Sequence, residues 1–81
     1  MIRVRLFASL RELAGSSHLE VDAPDVGSLL DDLSERLGPR FERIMSAGTV
    51  VVDGETVERD RPLSDGDEVA LLPPVSGGGR R

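Results

Sequence analysis

Asp25-Val26-Gly27-Ser28-Leu29-Leu30-Asp31-Asp32-Leu33-Ser34-Glu35-Arg36-Leu37-Gly38-Pro39 carries the one sustained helical pattern in the chain. Val26, Leu29, Leu30, Leu33 and Leu37 fall at i, i+3, i+4, i+7 and i+11, an apolar stripe on one side of a helix. Asp25, placed after Pro24, is a good N-cap, and Gly38-Pro39 ends the helix. Outward from this segment the pattern changes to strands. Towards the N-terminus, Ile2, Val4 and Leu6 alternate with Arg3, Arg5 and Phe7. Ser9 to Leu13 reads as a short connection with about one helical turn, closed by Gly15. His18 to Asp22 is a second strand, and the pair forms a hairpin. Towards the C-terminus, Phe41, Ile44 and Met45 suggest a further helical turn over the edge of the core. Thr49 to Val52 is a β-branched run entering Asp53-Gly54, a hairpin-turn dipeptide. A short strand around Thr56 to Val57 follows. Pro62 to Asp67 is turn-rich, and Glu68 to Leu72 is the last strand, stopped by Pro73-Pro74.

The order strand, strand, helix, strand, short strand, strand describes an α+β domain with one main helix across one face of a mixed sheet. Several small folds share that order, so it yields a class and not a function. The 81 residues form one domain, residues 1–74, followed by a mobile tail, residues 75–81.

Composition narrows the chemistry. There are no cysteines, which excludes a disulfide framework, a thiolate zinc site, an iron–sulfur cluster and a cysteine nucleophile. The net charge of −5 opposes nucleic-acid binding and favours a partner with a basic groove. Nothing approaches the roughly 20 apolar residues of a membrane span, and the N-terminus lacks a signal-peptide pattern, so the expected location is the cytoplasm. All ten basic residues are arginine, which leaves the N-terminal amine as the acceptor for amide formation; a codon preference for arginine accounts for this without selection. His18 is the single histidine, so a multi-histidine metal site is ruled out. Asp31, Asp32 and Glu35 share the helix face opposite the leucines, a solvated face or an acidic docking patch. Asp65-Gly66-Asp67-Glu68 lacks the ligand spacing of a calcium loop and suits a tight turn.

Two features remain. Phe7, Val51 and Leu72, with Ala70, point away from the helix-facing side of their strands, and such side chains on neighbouring strands form an exposed docking patch. The second feature is Val75-Ser76-Gly77-Gly78-Gly79-Arg80-Arg81. A Gly-Gly segment has no Cβ atoms and can thread a channel that excludes other residues, carrying a carboxylate into a partner.

The chain resembles the small-subunit family of molybdopterin synthase, and more broadly the β-grasp sulfur carriers that include the thiamine-pathway carrier. The likeness runs from Ile2-Arg3-Val4-Arg5-Leu6-Phe7-Ala8 and Arg11-Glu12-Leu13-Ala14-Gly15 through the leucine helix to Pro62-Leu63-Ser64-Asp65-Gly66-Asp67-Glu68-Val69. Its most specific part is Leu71-Leu72-Pro73-Pro74-Val75-Ser76-Gly77-Gly78. The resemblance implies the ubiquitin-like β-grasp fold, with the first and last strands adjacent and the third beside the last. That order would gather Phe7, Val51 and Leu72 into one partner-binding patch leading to Pro73, Pro74 and Val75.

It further implies a carrier without catalytic residues of its own and without a bound cofactor or metal. A ubiquitin-activating-type adenylyltransferase would use ATP to adenylate Gly78, next to Gly77. Sulfur would displace AMP to give a thiocarboxylate, and the large synthase subunit would pass that sulfur to a pterin precursor. One departure stands out: in that family the second glycine is terminal, whereas Gly79-Arg80-Arg81 follows Gly78 here. Three extra residues displace the carboxylate by about 10 Å. A protease trims them, or they are an artificial extension, or the carrier role has been lost. Carriers for cysteine, thiamine or tRNA thiolation, a ubiquitin-like protein modifier and an inert β-grasp interaction module are the competing functions.

Overall fold

The computed structural model describes residues 1–74. The expected tail, residues 75–81, with Val75, Gly77 and Gly78, lies outside the described residues. Five strands and three helices follow in the order β1 (Ile2–Leu6), α1 (Ser9–Ala14), β2 (His18–Val21), α2 (Val26–Leu37), α3 (Pro39–Met45), β3 (Thr49–Val52), β4 (Glu55–Val57) and β5 (Glu68–Leu72). The sheet order is β2-β1-β5-β3-β4. β1 and β5 are parallel, and the other neighbouring pairs are antiparallel. This is the ubiquitin-like β-grasp arrangement, and its central strand is the last one in sequence.

Alternation in β1 is complete: Ile2, Val4 and Leu6 are buried, and Arg3 and Arg5 are exposed. Val50, Val52, Val69 and Leu71 join them on the same side of the sheet. α2 closes that side with Val26, Leu29 and Leu33, all at 0% exposure, while Leu30 and Leu37 are half-buried at the rim of the stripe. Asp25 caps α2 as the sequence suggests, its Oδ1 accepting from the Ser28 N–H at 2.7 Å. Asp53 (φ 55°) and Gly54 (φ 78°) both occupy the left-handed region, the geometry of a type I′ hairpin turn between β3 and β4.

One expectation needs correction. Residues 39–45 form a seven-residue helix with Pro39 opening it, and Phe41 lies at the centre of the core, wholly buried, not at its edge. The helical turn expected after β1 is the helix α1, closed by Gly15, and its Leu10 is wholly buried as well. Helices this short are held by packing on the sheet rather than by helix propensity, so their sequences do not say how deeply they sit.

Candidate functional site

The face of the sheet that carries no helix is defined by strand register. Arg5 pairs with Ala70, and Ala70 with Val51, which places the three side by side across β1, β5 and β3. One step along, Leu72 pairs with Thr49. Phe7 follows Leu6, whose partner Leu71 immediately precedes Leu72, so Phe7 comes level with Leu72 at the end of the sheet. Register therefore brings together the three side chains that the sequence singled out. β5 lies between β1 and β3, so Leu72 leads into Pro73 and Pro74 from the middle of the sheet.

The patch is less open than expected. Phe7, Val51 and Leu72 are half-buried, and Met1 is the only large hydrophobic residue classed as exposed among those described. The reason is local cover. The Arg5 guanidinium sits over the Phe7 ring, 5.4 Å from its centroid, and Leu72 is flanked by strands on both sides. Among the described residues Arg5 forms no ion pair that would hold it elsewhere. Beside this patch, Arg5, Val51, Asp53, Gly54, Glu68 and Ala70 line a shallow depression of about 240 Å³. The surface combines an apolar floor with one cation and two carboxylates at its margin. Such a surface suits docking to another protein and offers no enclosed reaction chamber.

Gly48 is a site residue that the sequence reading missed. A Cβ built on it would stand 2.6 Å from the Leu72 carbonyl oxygen and 3.2 Å from Met45 Sδ. Real Cβ atoms do not approach backbone that closely, so glycine lets α3 and the start of β3 close against the last paired residue of β5. A glycine directly before the β-branched run 49–52 was the available signal. Ala8, next to Phe7, is a second one: its φ of 52° is rarely adopted by a residue with a Cβ.

Other candidate sites resolve differently. Asp31 pairs with Arg59 at 2.8 Å and Asp32 with Arg36 at 3.1 Å, so part of the acidic helix face is already neutralised. The carboxylate of Asp67 accepts from the Ser64 N–H at 2.8 Å, and the Asp67 N–H donates to the Ser64 carbonyl, closing the turn. Among the described residues no group of three or more His, Cys, Asp or Glu side chains could hold a metal ion. No helix there is long and apolar enough to cross a membrane.

The sequence matches the ThiS family over residues 4–78, a span that takes in all but the first two residues of β1 and reaches the second glycine. The chain belongs to the ThiS family. The molybdopterin synthase sulfur carrier subunit of Escherichia coli (strain K12) is 40% identical, over 96% of this chain and all of that protein. Among solved structures, small archaeal modifier protein 1 from Methanosarcina acetivorans matches with a TM-score of 0.84 at 27% identity, covering 95% of each chain. A chain from the complex of subunits 1 and 2 of the molybdopterin-converting factor from Helicobacter pylori matches with a TM-score of 0.70 at 26% identity. That match covers 95% of this chain and 97% of the other. The ThiS-family β-grasp fold and the resemblance to the small synthase subunit are thereby established for this chain.

Proposed function

We propose that this chain is the sulfur-carrier subunit of a molybdopterin synthase, with Gly78 as the residue that is adenylated and then thiocarboxylated. The observation that carries this is the ThiS-family match extending to Gly78, with full-length similarity to a molybdopterin synthase sulfur carrier subunit. Residues 1–74 serve as the docking domain, and residues 75–81 as the segment that delivers the reacting group. A cytoplasmic location is part of the proposal.

The chemistry follows from the carboxylate. It is a poor electrophile because its leaving group would be oxide. A ubiquitin-activating-type adenylyltransferase joins the Gly78 carboxylate to the α-phosphate of ATP, releasing pyrophosphate. A sulfur nucleophile then attacks the acyl carbon, and the C–O bond breaks with its electron pair leaving on AMP. The large synthase subunit supplies the catalytic side chains for passing the sulfur to a pterin precursor. The contribution of this chain is position: Phe7, Val51 and Leu72 seat on the partner, while Pro73, Pro74 and Val75 direct Gly77 and Gly78 towards the partner's site. Trimming of Gly79, Arg80 and Arg81 by a protease brings the carboxylate to Gly78.

ATP–pyrophosphate exchange with the cognate activating enzyme tests this on the chain ending at Arg81 and on the chain truncated after Gly78. The truncated form is expected to support exchange and the longer form to be inactive. A Gly78→Ala version of the truncated chain should lose much of the activity, because one methyl group alters the fit at the reacting carbon. Equal exchange from both lengths without trimming refutes Gly78 as the site. The likeness to an archaeal modifier protein favours one second reading, attachment of Gly78 to target lysines. Isopeptide-linked adducts in the native host, in place of a thiocarboxylate, would select it.

A further inference from the structure

An activated glycine at the end of this chain would face the chain's own surface before it meets a partner. Acyl adenylates and thioesters are captured by unprotonated amines and by thiolates, which lysine and cysteine side chains supply. This chain contains neither: cysteine is absent, and all ten of its basic residues are arginine. The guanidinium group stays protonated and delocalised at any physiological pH, so its nitrogens are not nucleophiles. The single imidazole, His18, lies opposite Arg5 at the start of β2, with Nδ1 2.9 Å from Ser17 Oγ. An acyl group on imidazole is readily hydrolysed and leaves no lasting adduct.

Geometry makes this composition matter. Leu72 enters the final segment beside β1, which carries Arg5, and beside Gly48, which packs against Met45 at the end of α3. Arg43 lies in the last turn of that helix. Gly78 is six residues beyond Leu72, a reach of about 20 Å when extended. The elements that flank the chain exit thus carry arginine, Arg5 on β1 and Arg43 on α3. A short tether raises the effective concentration of such groups to the millimolar range. A lysine there would form a bond from its nitrogen to the glycyl carbon while the C–O bond to AMP, or the C–S bond of a thioester, breaks. The electron pair leaves on AMP or the thiol, the amine proton goes to water, and a stable amide remains.

We propose that the chain is a donor-only acyl carrier: its side chains do not capture its own activated glycine or that of another copy, so transfer waits for a nucleophile held by a partner. It follows that the chain does not build side-chain-linked polymers of itself. The proposal rests on activation at Gly78, but its test does not depend on any activating enzyme.

The test uses the chain truncated after Gly78, prepared chemically as a C-terminal thioester of 2-mercaptoethanesulfonate, with the N-terminal amine blocked by acetylation. Removing residues 79–81 touches none of the elements β1–β5 or α1–α3. The parent is compared with Arg5→Lys and Arg43→Lys by intact mass and denaturing gel at mildly alkaline pH, after circular dichroism confirms that all are folded. Hydrolysis alone is expected for the parent, with cyclised and dimeric amide products at least about tenfold more abundant in the lysine variants. Amide or ester products from the parent at the rate of the variants would overturn the proposal. So would lysine variants that hydrolyse without conjugation, since arginine would then confer no protection. Failure of ATP–pyrophosphate exchange, by contrast, bears only on Gly78 as the activation site.

Discussion

Replacing Gly48 by alanine adds one methyl group at the point where α3, β3 and β5 converge. The added Cβ would lie 2.6 Å from the Leu72 carbonyl oxygen, an atom of the backbone that cannot rotate aside. Ordinary contact begins at 3.4 Å, so the two segments must part by about 0.8 Å or more, against a steep repulsive wall. Met45 Sδ, 3.2 Å away, can yield because methionine is flexible; the Thr49–Leu72 pairing cannot do so without lengthening. Overpacking of this kind costs about 1–3 kcal/mol. A value near 2 kcal/mol corresponds to a fall in Tm of about 8–16 °C for a domain of this size. Thermal unfolding followed by circular dichroism measures the fall, and amide hydrogen exchange at Thr49 and Leu72 locates it. Faster exchange is expected there, with protection at Val4 and Val69 retained. A Gly48→Ala protein melting within about 2 °C of the parent, with unchanged exchange, would refute the claim that this glycine is required by the close approach.

Leu72→Asp should weaken binding to the large synthase subunit by about 2 kcal/mol or more, read by titration calorimetry, because it places a carboxylate in the apolar patch formed with Phe7 and Val51. Its helix-free location should leave the fold intact, so unfolding, or unaltered binding, would count against the patch. Asp25 provides a pH test. The Ser28 backbone N–H, and then the Ser28 side chain, stabilise its ionised form and hold its pKa below the ordinary aspartate value. A depressed folded-state pKa contributes stability above the unfolded value that is lost as pH falls through the folded one, here below about pH 4. Asp25→Asn keeps a capping oxygen without that titration, so its urea midpoint should fall less steeply than the parent's across the acid range. Parallel slopes would contradict the assignment.

Much of this protein was legible before folding was considered. β3 and β5 match their expected bounds because β-branched or alternating runs end abruptly at Asp53-Gly54 and Pro73-Pro74. α2 was legible because twelve residues give its apolar stripe several recurrences, and Asp25 marks its start. The helical turns carrying Leu10 and Phe41 were read, but not how deeply those side chains are buried, because a helix of six or seven residues takes its depth and orientation from what it packs on. At the candidate site, the outward direction of Phe7, Val51 and Leu72 follows from strand alternation alone. How far they are covered does not, since Arg5 reaches Phe7 along its own strand through a rotamer that alternation cannot specify.

Local sequence therefore determined the element types, the apolar faces, the acidic charge, the absence of lysine and cysteine, and the Gly-Gly segment. Each of these depends on side-chain identity and on near neighbours. Only the tertiary structure, which the family resemblance anticipated and the residue patterns did not, sets the last strand between the first and the third and puts residues 7, 51 and 72 on one surface. That Gly48 presses on Leu72 was anticipated by neither. Those facts are pairings between residues tens of positions apart in the chain. They arise because β5, set between β1 and β3, turns Val69 and Leu71 to the same side as Ile2, Val4, Leu6, Val50 and Val52, where α2 covers them.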